Sequence, residues 1–296
     1  MTGNRSVLSG WRAYLYVLPI LVLSGLFLYY CIGFTVYTSF HSWNGIDTDM
    51  KFIGLDNYIK LFDDKSYHIA LRNNLIFFVF TVGVQAALGL LLAVLLRAKL
   101  KGNSIFRSIY FIPTIMAPII IAAIFRIIMD TNFGSLNEGL RAIGLDFLAV
   151  SWLGDPKYAL MSIIIVNIFE WMGFSMTLYY SALLAIPDEI YESAKIDGSG
   201  FWRTLFKITV PLVGGTTSTL VILGIVGSLK TFDIVSLLTG GGPGRSTEFL
   251  TTYVYKKAIG EFNGGMSAAA GVTILIIALV LAVLQIQFTN RQQRDL

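Results

Sequence analysis

Glu192-Ser193-Ala194-Lys195-Ile196-Asp197-Gly198, with Ile208-Thr209-Val210-Pro211 beginning after a further nine residues, is the stretch on which the fold turns. It lies between two long apolar runs and is too charged to sit in lipid. Residues 187–211 read as two short helices hinged at a glycine. Pro187 and Asp188 suit a helix start: proline presets the backbone, and a carboxylate can cap free amides at the positive end of the helix dipole. Residues Glu189 to Asp197 then make about two and a half turns, with Glu192 and Lys195 spaced to pair. Gly198 stands where helices commonly close in a left-handed conformation that a side chain resists. A second helix near Phe201–Ile208 carries Trp202, Leu205, Phe206 and Ile208, and Pro211 is expected to end it. The product is a polar hairpin with an apolar and aromatic face, fit to anchor in a groove of a partner.

Outward from this hairpin the chain is 55% hydrophobic and 14% charged, against about 25% charged in soluble domains. It reads as an integral membrane protein. Segments 14–40, 75–96, 108–129, 158–185, 212–238 and 266–288 each reach the roughly 20 apolar residues a helical span needs. Arg5 and Arg12 precede the first as in a signal peptide. That run is longer than the roughly 7–15 residues of a signal core and lacks a small-residue cleavage site, so it reads as a retained span. Pro113 and Pro118 predict a kink in the third.

With the N-terminus inside, Arg5, Arg12, Arg97, Lys99, Lys101, Arg107, Lys195, Arg203, Lys207, Arg291 and Arg294 face the cytoplasm. Their density is about twice that of the basic residues on the other side. A multi-pass protein of the cell membrane with both termini cytoplasmic follows. The net charge of +4 is positional and implies no nucleic-acid partner. Cys31 alone excludes an internal disulfide framework. In the long outer loop, about 39–74, Gly54-Leu55-Asp56-Asn57-Tyr58-Ile59-Lys60-Leu61-Phe62 predicts a short amphipathic helix outside the bilayer. Trp152 and Tyr158 mark a membrane interface. With neither repeat nor linker, residues 1–296 read as one transmembrane domain.

The hairpin resembles the cytoplasmic coupling loop of permease subunits of ATP-binding-cassette (ABC) importers. Their pattern is Glu-Ala-Ala, three residues, Gly, nine residues, Ile, one residue, Leu-Pro; Ser193 and Val210 depart from it and keep size and helical fit. Leu237-Leu238-Thr239-Gly240-Gly241-Gly242-Pro243-Gly244 and the Gly-Leu-Asp-Asn-Tyr sequence at 54–58 resemble the carbohydrate branch, the maltose and glycerol-phosphate family, and within it the larger permease of each pair. The resemblance implies an all-α membrane protein with six transmembrane helices, the type I ABC importer permease architecture, and a cytoplasmic coupling helix. It also implies a hetero-oligomer with a second, related permease, a cytoplasmic ATPase dimer and an extracytoplasmic solute-binding protein. The expected coupling residues are Glu192, Ser193, Ala194, Asp197, Gly198, Ile208 and Pro211. ATP and magnesium would be used by the partner ATPase, with no cofactor in this chain.

Other signals are set aside. Gly240–Thr247 lacks the lysine, the spacing and the βα unit of a phosphate loop, so it reads as a glycine-rich turn. Gly173-Phe174-Ser175-Met176 fits a short pattern of intramembrane serine proteases, but both histidines, His41 and His68, fall in the first outer loop. Those histidines have no metal-ligand spacing with Cys31, so no metal site and no catalytic residue is expected.

The substrate path is read from polar residues inside spans, where each ionisable group costs about 2.5–3.5 kcal/mol. Glu170 lies mid-span, while Lys230 and Asp233 are spaced to pair along the fifth span. Each of these reads either as a structural pair or as a substrate ligand, and Arg126 can snorkel from its span's outer end. Asn167, Trp171, Phe174 and Leu178 recur on one helical face bordered by Glu170. An amide, a carboxylate and aromatic rings suit a sugar's hydroxyls and C–H faces, though such a stripe also packs helices. The resemblance places maltose-type cavity residues at Asn167, Trp171 and Phe174 and at Gly227, Ser228 and Thr231. Asn167 keeps its residue type and Phe174 an aromatic ring. Trp171 replaces a small residue, and Ser228 and Thr231 replace amides, which argues against maltose itself. The chain is thus expected to carry an oligosaccharide or related polyol without chemistry of its own. The alternatives are a stand-alone secondary transporter or channel, for which paired broken helices in two halves would be the sign, an intramembrane hydrolase, and a non-transport subunit.

Overall fold

The computed structural model describes residues 11–97 and 102–294. Arg5, Lys99 and Lys101 lie outside the described residues, as do the side chains of Arg12, Arg291 and Arg294. In chain order come α1 (Trp11–Ser24), a π turn (Gly25–Tyr29), α2 (Tyr30–Ser39), and β1 (His41–Ser42) paired antiparallel with β2 (Lys51–Phe52). Then follow α3 (Asp56–Asp63), α4 (Lys65–Arg97), α5 (Asn103–Ile115), α6 (Pro118–Ile128), α7 (Ser135–Ala142) and α8 (Ala159–Leu184). The remainder is α9 (Asp188–Ile196), α10 (Phe201–Thr204), a π turn (Leu205–Thr209), α11 (Val210–Leu212), α12 (Gly214–Lys230), α13 (Asp233–Leu238), α14 (Leu250–Tyr255), a third π turn (Lys256–Gly260) and α15 (Gly264–Arg294).

Among the described residues four helices are long and apolar enough to cross a membrane, and six spans result when each of two bent pairs counts as one. The bent pairs correct the sequence reading. The third span is broken, not kinked: α5 and α6 meet at 98°. Met116 and Ala117 are extended, at ψ 146° and 138°; Ala117 precedes Pro118 and is thereby pushed out of the α region, and Pro118 starts the next helix. Pro211 does not end the helix of the hairpin. Phe201–Leu212 runs through it, and the 68° bend to α12 comes at Val213. The π turn just before Pro211 widens the backbone where proline cannot donate its hydrogen bond. The fifth span breaks again at Thr231–Phe232, so Lys230 and Asp233 sit on different helices and form no ion pair. α4 begins at Lys65, ten residues before the apolar run, because its first turns are polar.

The structure clusters into two units. In the unit formed by the segments to Asp63 and Val254–Thr273, α3 is the amphipathic helix expected outside the bilayer, and its Asn57 is buried. Asn57 Nδ2 donates to Ser39 O (2.8 Å) and His41 O (2.9 Å), and Tyr58 shares a 2.7 Å hydroxyl hydrogen bond with Ser39. The Gly-Leu-Asp-Asn-Tyr sequence thus ties down the end of α2. Gly265 packs so closely that a Cβ would lie 2.1 Å from His41 O.

In the unit from Asp64 to Tyr253 with the remainder of α15, α4 and α8 pack along their lengths. One apolar cluster centres on Phe77, Ile163, Val166, Val235 and Phe249, a second on Ala93, Met176, Tyr179, Leu183 and Leu220. Glycines set the approach: a Cβ at Gly89 would meet Ser175 Cβ at 2.8 Å, and one at Gly173 would lie 1.9 Å from Tyr110 O. The buried pair Asn73 and Asn74 supports the irregular segments. Asn73 Nδ2 donates to Ser246 O and Glu248 O, Asn74 Nδ2 donates to Ser228 O, and Leu250 N donates to Asn74 Oδ1. After α6, Asp130 accepts from the amides of Phe133 and Asn132, which holds its carboxyl below the ordinary carboxylate range. Trp152 lies tilted against Tyr158, with ring centroids 6.4 Å apart, and donates its indole N–H to Asn137.

Candidate functional site

α8 is a continuous helix of 26 residues, so the spacing of Asn167, Trp171 and Phe174 does place them on one face. That face borders a cavity of about 340 Å³. Across it, α12 and the break after it contribute Gly227, Ser228 and Thr231. Six residues drawn from two distant segments therefore meet around one space. Leu178, the fourth residue of the stripe, packs into the second apolar cluster instead.

Glu170, Lys230 and Asp233 do not line the cavity. Glu170 is 3% exposed. Thr114 donates to the Glu170 carbonyl at 2.7 Å, fastening the end of α5 to mid-α8. Lys230 is the last residue of α12 and its side chain is exposed on this chain.

The third wall is α4, through Phe77, Thr81, Val82 and Gln85, which the sequence reading missed. A signal was available: Thr81 and Gln85 are the hydroxyl and the amide in an otherwise apolar run, spaced i, i+4 on one face. Gln85 Nε2 donates to Asn167 Oδ1 (3.0 Å) and to Asn167 O (3.2 Å). This directs the Asn167 amide nitrogen away from Gln85 as a free donor. Ser228 and Thr231 turn their hydroxyl hydrogens back to carbonyls of α12, at 2.9 and 2.8 Å, leaving oxygen lone pairs as acceptors. The Trp171 and Phe174 rings meet edge to face at 6.0 Å. Every polar group on the wall is uncharged. Such a surface can hold hydroxyl-rich, ring-bearing molecules; it offers no counter-charge for an anion and no nucleophile–base pair.

The hairpin forms the other candidate site. α9 closes as its sequence predicts: Gly198 has φ 71°, Ser199 N donates to Ala194 O at 2.9 Å and Gly198 N to Lys195 O at 3.1 Å. Ala194 is buried beneath the hairpin, while Glu192, Ser193 and Asp197 are exposed and Ile208 is half-buried. Two local expectations fail. Pro187, not Asp188, occupies the N-cap position and no side chain caps the helix; Asp188 instead pairs with Arg97 at 2.7 Å. Glu192 and Lys195 make no ion pair with each other, since both side chains are free to stay hydrated at the surface. Beyond Gly198, Trp202 and Phe206 stack at 6.0 Å and 16°, and with Phe201, whose ring meets Trp202 at 5.2 Å, they form an exposed aromatic patch.

Known proteins resemble this chain over nearly its whole length. A probable ABC transporter permease, YurN of Bacillus subtilis (strain 168), is 38% identical over 93% of this chain and 94% of its own length. The lactose transport system permease LacF of Rhizobium radiobacter is 32% identical over 99% of each. A crystal structure of a bacterial ABC transporter involved in the import of the acidic polysaccharide alginate shares the fold, with a TM-score of 0.81 at 24% identity over 95% of this chain and 96% of that one. Residues 85–294, which hold α8, the hairpin and α12, match the family described as binding-protein-dependent transport system inner membrane component. The chain is a member of that family, a multi-pass membrane permease.

Proposed function

We propose that this chain is one permease of a paired ABC importer and lines the path of a neutral oligosaccharide or related polyol. The observation that carries the reading is the convergence of Asn167, Trp171, Phe174, Gly227, Ser228 and Thr231 on one uncharged cavity. Trp171 supplies a ring face for sugar C–H surfaces, Asn167 a donor, and Ser228 and Thr231 acceptors. A solute-binding protein delivers the cargo from outside, a second, related permease completes the path, and both termini lie in the cytoplasm.

Glu192, Ser193, Ala194, Asp197, Gly198, Ile208 and Pro211 form the element that seats on a cytoplasmic ATPase dimer. The exposed aromatic patch of the hairpin supports this role: apolar helix faces of this kind dock into grooves. ATP and magnesium act in that partner, and this chain transmits the motion without catalysing a reaction. The test is uptake by the reconstituted complex in proteoliposomes against a panel of radiolabelled neutral and acidic oligosaccharides. Uptake of a neutral member should require ATP and the binding protein, and Trp171→Ala should reduce it at least about tenfold, roughly the 1.4 kcal/mol of one ring contact. Uptake by this chain alone under an ion gradient would refute the reading, as would preference for the acidic panel.

A further inference from the structure

We infer that Arg97 is a positioning residue that locks the orientation of α9 to α4, so that movement of the coupling helix is passed to the cavity wall. The inference rests on the coupling role proposed for α9. Arg97 is the last residue of α4, the helix whose Thr81 and Gln85 border the cavity about three to four turns earlier. Its guanidinium grips the start of α9 from three directions. Nη2 pairs with Asp188 Oδ1 at 2.7 Å, donates to Ile186 O at 3.2 Å, and the guanidinium carbon sits 3.9 Å from the Tyr191 ring centroid.

Asp188 and Tyr191 are three residues apart and share the helix face that meets Arg97. Asp188 alone would hold little, since its side chain is 72% exposed and a hydrated ion pair is weak. Arg97 is only 18% exposed, and a flat guanidinium can pair in its plane while stacking across its face. A lysine ammonium cannot do both. Tyr191 in turn reaches Thr209 across the hairpin with its hydroxyl, at 3.4 Å, so one ring stands between α4 and the second half of the loop. The carboxylate that the sequence assigns to capping is thus used to fix a direction.

The test measures the spread of α9 positions in the complete transporter, with Cys31→Ser as background and spin labels at Phe80 and Glu189. Both labelled sites are exposed and outside the cavity wall. The unmutated clamp should give one narrow distance, with or without ATP and vanadate. Arg97→Ala should widen the distribution about twofold, and Arg97→Lys should recover only part of it because the pair returns without the stack. Should Arg97→Ala fail to assemble, Tyr191→Leu, which removes the ring and keeps the ion pair, should widen the distribution by about half as much. Unchanged widths in Arg97→Ala, or in Tyr191→Leu when that variant is the readout, overturn the inference, as does full recovery in Arg97→Lys. A cysteine at Ser193 separates this from the coupling role. Cross-linking to the ATPase with unchanged widths leaves that role standing without the clamp, whereas no cross-link removes both.

Discussion

Gly198, Gly173 and Gly227 are glycines for three different physical reasons, and single substitutions should tell them apart. A Cβ at Gly198 meets nothing within 4 Å, but φ 71° is a left-handed backbone. Valine there should cost about 1–2 kcal/mol of local strain, and asparagine, which tolerates that region, much less. In a reconstituted transporter, Gly198→Val should lower cargo imported per ATP several-fold while Gly198→Asn stays near normal. Gly173 has ordinary helical geometry but no room, with Tyr110 O at 1.9 Å from the added carbon. Gly173→Ala should destabilise by about 1–3 kcal/mol through overpacking, seen as a lower melting midpoint of the purified complex. Gly227 has both room and helical geometry and lines the cavity. Gly227→Ala should hold or raise that midpoint, through up to about 1 kcal/mol of added helix stability, while lowering uptake.

Among the elements, the broken spans carry the consequences. Backbone freed by the interruption of a helix inside a membrane must find partners in protein, since hydrocarbon offers none. Asn74 provides two: it donates to Ser228 O near the end of α12 and accepts from Leu250 N at the start of α14, each at 2.8 Å. Asn74→Leu would orphan both buried groups. The expected loss is about 2–5 kcal/mol, read as a large fall in the melting midpoint of the purified complex and in the yield of folded protein. A wild-type midpoint would show that water or rearrangement replaces the amide. The breaks were only partly legible in sequence. Pro118 signalled one, through the known restriction on Ala117. The break at Thr231–Phe232 contains neither proline nor glycine and is held by partners remote in sequence, Asn74 and Thr251 among them.

For the whole molecule, the distribution of Lys and Arg makes a topological prediction. A membrane-impermeant maleimide applied to intact cells should label a cysteine at Asn44 and miss one at Ser199, in a Cys31→Ser background; the opposite pattern would invert the assigned orientation. Composition and apolar run length determined by themselves that this is a multi-span helical protein, because the cost of placing backbone and charge in hydrocarbon is local and additive along the chain. The register of residues 192–198 likewise determined where the first helix of the hairpin would close, since capping at Gly198 depends only on neighbours in sequence, whereas the end of the second helix, expected at Pro211, was set by packing. Tertiary structure decided the rest. Only packing could bring Gln85 against Asn167 or separate Glu170, Lys230 and Asp233 from the cavity that Trp171 and Thr231 share. Only packing could hand Asp188 to Arg97 in place of its own helix amides. Such pairings depend on the angles at which helices bend and cross, and those angles are set by contacts between residues that the linear sequence holds far apart.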